Sequence, residues 1–525
     1  MKNKPLLLLL LFPLVTGCSL LDFDDNTPKE PEGGETEPGE GGKTDPANPA
    51  NPGEGGKTDP SDPADPSDPA DPADPGEEEY VPQASTNKTF LEFFNPDSKV
   101  EIELDFTNES ITHLRDYADG HGGNANFEQN EMYHPCTAKI IVNGKETVLE
   151  ECGARMRGNT SRNLNFVNNE GYFDINNLCH FKLNFSQTFE DPNFYYVHDW
   201  TGDEEGYQDR DDRKFGGMKK IDLKWNKNLD NTFTKEGYVL NAFRSEGVLA
   251  QHSTLVQLTV KSENDSYTKV YQALEAIDKR LLKAADDNDN KGDLYKCLYT
   301  GQGPAHLRGY EDYQIGVEAQ DYLPIYSLKT NEKNNDFSTM KNLINTVSKS
   351  QNGDGVTPDQ YFESVSEIIN VDNFLKYSAL CWVFGLPDDL RNNYNNYYIY
   401  FSKNRKALFI PYDNDRCLGI LQDWPMDLKN KTRDDPYDVN GNFNQCPLVL
   451  RLVTGGSNNT YTVHQESKNK YLEYCKEYAL KYLDTSKFQE YTNHFYYAPS
   501  KDISIGGGQN ETFATYANAK LGTLN

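Results

Sequence analysis

The chain has 525 residues, of which 26% are charged and 12% aromatic, and its formal net charge is −30. No basic stripe with interleaved aromatic residues interrupts this acidic balance, which argues against nucleic acid as a partner. Past the first residues no stretch approaches about eighteen uninterrupted apolar positions, so the sequence offers no candidate for a membrane-spanning helix.

The first residues point to export. Lys2 and Lys4 form a basic start, Leu6 to Val15 form a short apolar core, and "LVTGC" supplies a small-residue cleavage context ending in Cys18. This is the pattern of a bacterial lipoprotein signal over residues 1–17, with Cys18 as the site of lipidation and the membrane anchor. The expected location is lipid-anchored to a bacterial membrane, facing the periplasm or the cell exterior.

Residues 18–85 read as an acidic, proline-rich spacer. Thirteen of the 27 prolines fall between Asp22 and Ser85, and "GEGGKTDP" occurs at both 39–46 and 53–60. Nineteen acidic residues against three lysines leave almost nothing apolar to bury, so this segment is expected to be disordered. At about 3.1 Å per residue in polyproline form, it would reach roughly 200 Å.

The body, 86–525, contains eight further cysteines: Cys136, Cys152, Cys179, Cys297, Cys381, Cys417, Cys446 and Cys475. None stands in a CxxC pair, which argues against zinc. An exported chain with an even number could form up to four disulfides; several free buried thiols are the alternative.

Alternation of β-branched and polar residues predicts strands at 99–106 and 137–148, the second with an Asn-Gly turn at Asn143 and Gly144. Further strands are expected at "ARMRG", at 179–185, at 254–261 and at 269–274, with a helix around 240–251. After Asp278 the pattern becomes mostly helical, at 278–285, 335–348, 359–383 and 465–483. One hairpin around Asn404 interrupts it. Past about residue 485 no element is evident. The fold class is α+β, a β-rich front and a helical back.

Three stretches carry candidate chemistry. In "CGARMRGNTSR" (152–162), Arg155 and Arg157 share one strand face, Gly158 permits a bend, and Asn159, Thr160 and Ser161 offer polar groups and loop N–H donors. Guanidinium charge with exposed loop amides suits phosphate, although a hairpin with two solvated arginines has the same composition. Lys182 in "HFKLNF" stands on a strand after that loop, where it could meet phosphate and a carboxylate or simply be exposed. In the third stretch, Asp388 and Asp389 follow a helix, Asn395 and Asn396 come six or seven residues after Asp389, and Asp413 and Asp415 close the return strand of the hairpin. An acid near an acceptor hydroxyl, then an Asn and an acid for a divalent metal, is the chain order that phosphoryl transfer from a nucleotide needs. Asp/Asn turn chemistry at a hairpin is the plainer reading.

Other readings fail on spacing. A calcium loop from Asp413 meets Leu418 and Trp424 where Gly and Glu belong, and one from Asp287 ends on Leu298. No GxxxxGK[ST], HExxH or GxSxG occurs.

"GARMRGNTSR", "YQALEAIDKRLL", "GDLYKC", "LKTNE", "NNYYIY" and "IPYDNDRCLG" occur in one order over roughly residues 130–455. Together they resemble the spore-coat CotH family of secreted atypical protein kinases. The resemblance implies a two-lobed, atypical protein-kinase-like fold. Its β-rich N-terminal lobe would span about 86–275 and its mainly helical C-terminal lobe about 276–485, with 486–525 a C-terminal extension. It implies transfer of the γ-phosphate of ATP, with Mg²⁺ or Mn²⁺, to Ser or Thr of exported proteins.

By the same resemblance, Arg155, Arg157, Gly158, Asn159, Thr160 and Ser161 cover the nucleotide and Lys182 stands at the phosphate lysine. Cys179, His180 and Asn184 depart from the basic residues usual around that strand. Glu275 would be the lysine's partner or an adenine-side residue. Asp389 would be the catalytic acid, with Asp388 its near alternative, and Asn396 and Asp413 would hold metal with help from Asp415. Tyr412 replaces the commoner Trp before the acid. Two other readings stay open: a non-catalytic surface adhesin or assembly lipoprotein on the same scaffold, and a nucleotide-sugar transferase using Asp413 and Asp415 as a metal-binding DxD motif.

Overall fold

The computed structural model describes residues 85–118, 132–158, 161–189, 210–285, 291–300, 303–308, 325–334, 336–348, 355–403, 406–421, 446–455 and 462–524. Residues 1–84, which hold Cys18 and nearly all of the expected leader and spacer, lie outside these residues, as do Asn159 and Thr160.

Seven strands close into a barrel: β1 (Val100–Asp105), β2 (His134–Val142), β3 (Lys145–Arg157), β4 (His180–Asn184), β5 (Lys220–Trp225), β6 (Ser253–Lys261) and β7 (Ser266–Glu275). Their order around the barrel is β1-β2-β3-β4-β5-β7-β6, and a parallel pairing of β1 with β6 closes it. The Asn143–Gly144 turn forms as its sequence demands. Both residues have positive φ, 50° and 84°, which a two-residue hairpin of matching twist requires.

Period-two alternation sorts the side chains. Ala154, Met156, Phe181, Leu183, Ile221, Leu223 and Ala273 fill the barrel interior. The register pairs Arg155 with Lys182, Arg157 with His180, and Lys182 with Asp222 on the opposite, outer face. Closing the sheet removes its exposed edges. It also gives β3, β4 and β5 an outer face lined with charge.

A second, four-stranded sheet has the order β11-β10-β8-β9, built from β8 (Asp293–Cys297), β9 (Tyr326–Leu328), β10 (Tyr397–Phe401) and β11 (Leu408–Pro411). Among the described residues the helices of six residues or more are α1 (Lys88–Phe93), α2 (Asn108–Tyr117), α3 (Lys235–Ser245), α4 (Ser338–Ser348), α5 (Pro358–Ser366), α6 (Val371–Phe384), α7 (Gln465–Tyr482), α8 (Thr485–His494) and α9 (Phe513–Gly522), and a short turn of helix, Lys279–Leu282, falls within the expected 278–285. Helix α6 is buried on every side, as its mostly apolar sequence requires, and ends at Gly385 in the left-handed conformation (φ 63°). It lies in the main apolar core with α3, the second sheet and α7.

The α+β composition holds, but the two-lobed kinase-like architecture does not. A closed seven-stranded barrel and a separate second sheet stand where a β-rich lobe and a mainly helical lobe were expected. Alternation in sequence identifies strands, not their partners, and the closing β1–β6 pair joins strands some 150 positions apart. The strands β5, β8 and β9 also escaped the sequence pattern.

Two more differences concern the end of the chain and the cysteines. Helices α8 and α9 lie where no element was evident, and Phe488, Phe513, Tyr516 and Ala517 join the main core. All eight cysteines of the body are buried free thiols.

The rings of Phe488 and Phe513 stack at 4.3 Å, and both are almost fully buried. Phe513→Ala should therefore cost about 3–5 kcal/mol of unfolding free energy in chemical denaturation. A loss below about 1 kcal/mol would show that α9 contributes little to the core.

Candidate active site

The outer face of β3–β5 meets the open end of the β10–β11 hairpin through one buried cation. Lys224, on β5, is 2% exposed at its side chain. Its Nζ lies 3.1 and 3.0 Å from Glu236 Oε1 and Oε2, 2.9 Å from Asp413 Oδ1 and 3.0 Å from Asp415 Oδ2. Glu236 comes from the first turn of α3, where the helix N-terminus favours a negative charge. The two aspartates follow β11. Carboxylates from two segments, one 12 and the other 189 positions along the chain, thus converge on one ammonium.

Arg157 extends the cluster along the barrel face. Its Nε donates to Asp222 Oδ2 at 3.0 Å, its Nη1 lies 3.7 Å from Asp413 Oδ1, and its guanidinium sits 5.2 Å from the Tyr412 ring centre. Lys182 Nζ meets the other oxygen of Asp222 at 3.2 Å. Tyr412 is also approached by Lys296 Nζ, 4.6 Å from its ring centre. Further along the same face Arg155 lies 5.3 Å from the Tyr133 ring centre, and Lys220 lies 6.0 Å from it.

Charge states follow from these contacts. Burial opposes the Lys224 ammonium, but Asp413, Asp415 and Glu236 outweigh it and raise its pKa well above the ordinary lysine value. Burial also opposes ionisation of Asp413, yet Lys224 and Arg157 hold its carboxyl far below the usual range. Glu236 moves the other way. Burial pushes it up to about 7, and the nearby Asp415 and Asp413 add to the rise against the pull of Lys224. Burial, then Lys224 and Arg157, drive His180 well below its ordinary value, and its neutral Nδ1 accepts the Trp225 N–H at 3.0 Å.

Asn396 and Asp413 flank the mouth of the hairpin. Tyr412 N–H donates to the Asn396 carbonyl at 3.1 Å. Both residues adopt positive φ, 51° and 55°, a region Asn and Asp tolerate better than other side chains and one that clusters at functional sites. Asn396 Nδ2 donates to Asp388 Oδ2 at 2.8 Å, and Asn393 Nδ2 reaches Asp388 Oδ1 at 2.6 Å. Burial raises the Asp388 pKa and the nearby Asp413 adds to the rise, against hydrogen bonds from Asn393 and Asn395.

Asp389 faces elsewhere. It is 2% exposed and accepts the backbone N–H groups of Arg391 (3.0 Å) and Asn392 (2.9 Å) as well as Arg391 Nε at 2.7 Å.

The remaining candidates divide in the same way. Gly158 has φ 90°, and any Cβ there would lie 2.1 Å from Ser161 Oγ, which donates to the Arg157 carbonyl at 3.0 Å. That pair shapes the end of β3. Glu275 does not meet Lys182. It is 1% exposed, paired with His252 Nδ1 at 2.7 Å and with Arg280, whose guanidinium lies over Phe90. Lys224, Glu236 and Asp222 were missed in the sequence. The signal was present in "KIDLKW" (220–225), where Lys220, Asp222 and Lys224 alternate with Ile221, Leu223 and Trp225.

Among the described residues no group of three or more His, Cys, Asp or Glu side chains is arranged to hold a metal by itself. The oxygen-only donor set nevertheless suits Mg²⁺ or Mn²⁺, which commonly take one or two carboxylates and complete their shell with phosphate and water. Asp413 makes both of its cation contacts through Oδ1 and is a third exposed.

Asp222 offers a direct test of the cluster. Burial alone would raise its pKa, but Lys182 and Arg157 lower it below the ordinary value. Its contribution to stability is therefore complete above about pH 4 and is lost as pH falls through the folded-state value. Asp222→Asn should cost about 3–5 kcal/mol at pH 7, the scale of breaking a buried ion pair. In urea titrations the gap from wild type should narrow by pH 3; a gap that is constant with pH would refute the pairing.

Comparison with known proteins adds one finding. The family model described as CotH kinase protein matches residues 186–501, more than half of the chain. The match contains Lys224, Glu236, Asp388, Asp389, Asn396, Asp413 and Asp415, while Arg155, Arg157 and Lys182 precede it. No curated protein matches the chain. The chain belongs to the CotH kinase protein family.

Proposed function

We propose that the protein is a metal-dependent extracytoplasmic kinase that transfers the γ-phosphate of ATP to Ser or Thr hydroxyls of exported or surface proteins. The convergence of Lys224, Arg157, Asp413 and Asp415 at the hairpin mouth carries this reading, beside the family's kinase character. Lipidation at Cys18 and the acidic spacer would hold the catalytic body away from a bacterial membrane.

Lys224 and Arg157 place fixed positive charge where phosphate oxygens would lie, and Arg155 and Lys182 extend it along the barrel face. Asp413 and Asn396 would hold the divalent cation, with Asp415 assisting. Once bound, that cation would neutralise charge building on the phosphoryl oxygens.

Asp388 is the carboxylate that we place beside the acceptor hydroxyl. It shares the hairpin mouth with Asn396 and Asp413, and its raised pKa suits a group that takes up a proton. The acceptor oxygen bonds to the γ-phosphorus as the bond to the leaving ADP oxygen breaks, and the hydroxyl proton passes to Asp388. Asp389 is assigned a positioning role: with Arg391 it fixes the loop that presents Asp388.

One observation favours the non-catalytic alternative. Asp413 is already paired with Lys224 and Arg157 within the protein, so its charge has partners without a metal ion. Melting curves with ATP and Mg²⁺ or Mn²⁺ separate the readings. A kinase should gain about 2.7 kcal/mol at a hundred times Kd only when both ligands are present, whereas a pure binding scaffold should gain nothing.

In a radiolabelled-ATP transfer assay, Asp413→Ala and Asp388→Asn should each lower the rate by at least about a hundredfold. Asp389→Asn should lower stability and the rate together. Asp388→Asn within a few-fold of wild type would overturn its assignment and return the role to Asp389.

A further inference from the structure

Two of the eight buried thiols face each other. In the β2–β3 ladder Cys136 is the direct partner of Cys152, and both side chains are buried, at 4% and 0% exposure. Directly opposed antiparallel residues have Cα atoms about 4.5–5.5 Å apart. A disulfide spans about 4.4–6.8 Å between Cα atoms, so the backbone can accept one here without moving. The other cysteine in a strand, Cys297, has Tyr397 and Tyr326 opposite it, and so has no thiol partner across either ladder.

The position of the pair matters to the site. Between Cys136–Cys152 and the next pair, Ala138–Leu149, β3 carries one residue more than β2, and Glu151 at this bulge has φ 51°. Arg155 and Arg157 lie on the far side of it. A one-residue slip of the bulge would turn both arginines into the barrel and their apolar neighbours outward. A covalent link at Cys136–Cys152 would pin the register on the arginine side.

We propose that Cys136 and Cys152 form a cross-strand disulfide when the chain folds in an oxidising compartment, fixing the register of the strand that carries Arg155 and Arg157. In the cell this rests on the export reading. The oxidant is a disulfide of the thiol–disulfide exchange class, either an oxidised oxidoreductase or a small-molecule disulfide. One protein thiolate attacks a donor sulfur and releases the first donor thiol. The second protein thiolate then attacks the mixed disulfide, forming the Cys136–Cys152 bond and releasing the second. Both protein thiols are oxidised, the donor disulfide is reduced, and the two protons end on its thiols.

The step belongs to folding rather than to the finished protein. Burial pushes the Cys152 thiol up to about 11, against the opposing charge of Arg213, whose Nη2 lies 3.9 Å from its sulfur. Burial also raises Cys136 well above the ordinary thiol value, and Cys152 adds to it. Thiols in that state exchange slowly. The β2–β3 hairpin is local in sequence, so the pair can meet before the barrel seals over it.

The test uses the full chain, refolded from reduced, denatured protein in a glutathione–glutathione disulfide buffer and, separately, isolated from producing cells. Free thiols are alkylated in denaturant without reductant, and the digest is examined by mass spectrometry. The expected result is one linked peptide pair joining Cys136 and Cys152. Oxidised wild type should also melt several degrees above reduced wild type, a difference that Cys136→Ser/Cys152→Ser abolishes. Alkylation of both thiols after refolding, or a link from either to another cysteine, would overturn the proposal. Membrane fractionation of the cells tests export independently: a reduced cytoplasmic chain would sink that reading and leave the disulfide to the refolding arm.

Discussion

A buried ammonium organises this molecule. Lys224 sits at 2% exposure with carboxylates from α3 and from the segment after β11 on its single nitrogen. An isolated charge in such a place would cost several kcal/mol, so the barrel, α3 and the hairpin are held to one mutual arrangement that keeps it satisfied. Carboxylate charge exceeds cationic charge there. Lys224, Arg157 and Lys182 face Asp222, Glu236, Asp413 and Asp415, with Asp388 close by. Burial is the main cause of the rise of Glu236, and the like charges of Asp415 and Asp413 add to it. A divalent cation delivered with phosphate oxygens would suit such a surplus.

Barrel closure makes this arrangement possible. In an open sheet packed on one side, the outer face of β3–β5 would be the solvated face, and arginines and lysines on it would need no partners. Here the inner face is sealed by Phe181, Leu183, Ile221 and Leu223, while the outer face is covered in turn by Tyr412 and the aspartates. Charge on the covered face has to be matched residue by residue, and Asp222 does this for two cations at once. The alternation that builds the barrel therefore also lines the site.

What was legible in the sequence was local. The Asn143–Gly144 turn, the shared face of Arg155 and Arg157, and the hairpin bearing Asp413 and Asp415 each depend on a few neighbouring residues, and each was read from them. What was hidden depended on pairing. Lys182 looked like the lysine of the site because it followed the arginine loop. On the adjacent strand of the same outer face Lys224 reaches Asp413, and only the β4–β5 register puts Asp222 beside Lys182. The resemblance made Glu275 the lysine's partner or an adenine-side residue; its ion-pair neighbours are His252, just before β6, and Arg280, after β7. The closing β1–β6 pair left no mark in local periodicity at all.

The adjacent acids Asp388 and Asp389 show how far a single backbone step can separate two identical side chains. Asp389 is turned inward, its oxygens taken by two backbone N–H groups and the Arg391 guanidinium. A carboxylate so fully bonded holds its loop in place. Asp388 points to the hairpin mouth, where its partners are neutral amides and the like charge of Asp413 outweighs the opposite charge of Arg416. Neutral donors orient a carboxylate without greatly stabilising its charge, and a like charge favours its protonation. That contrast is why we propose Asp388 for the proton and give Asp389 a positioning role. The division follows from which way each side chain leaves the end of α6, before any substrate is considered.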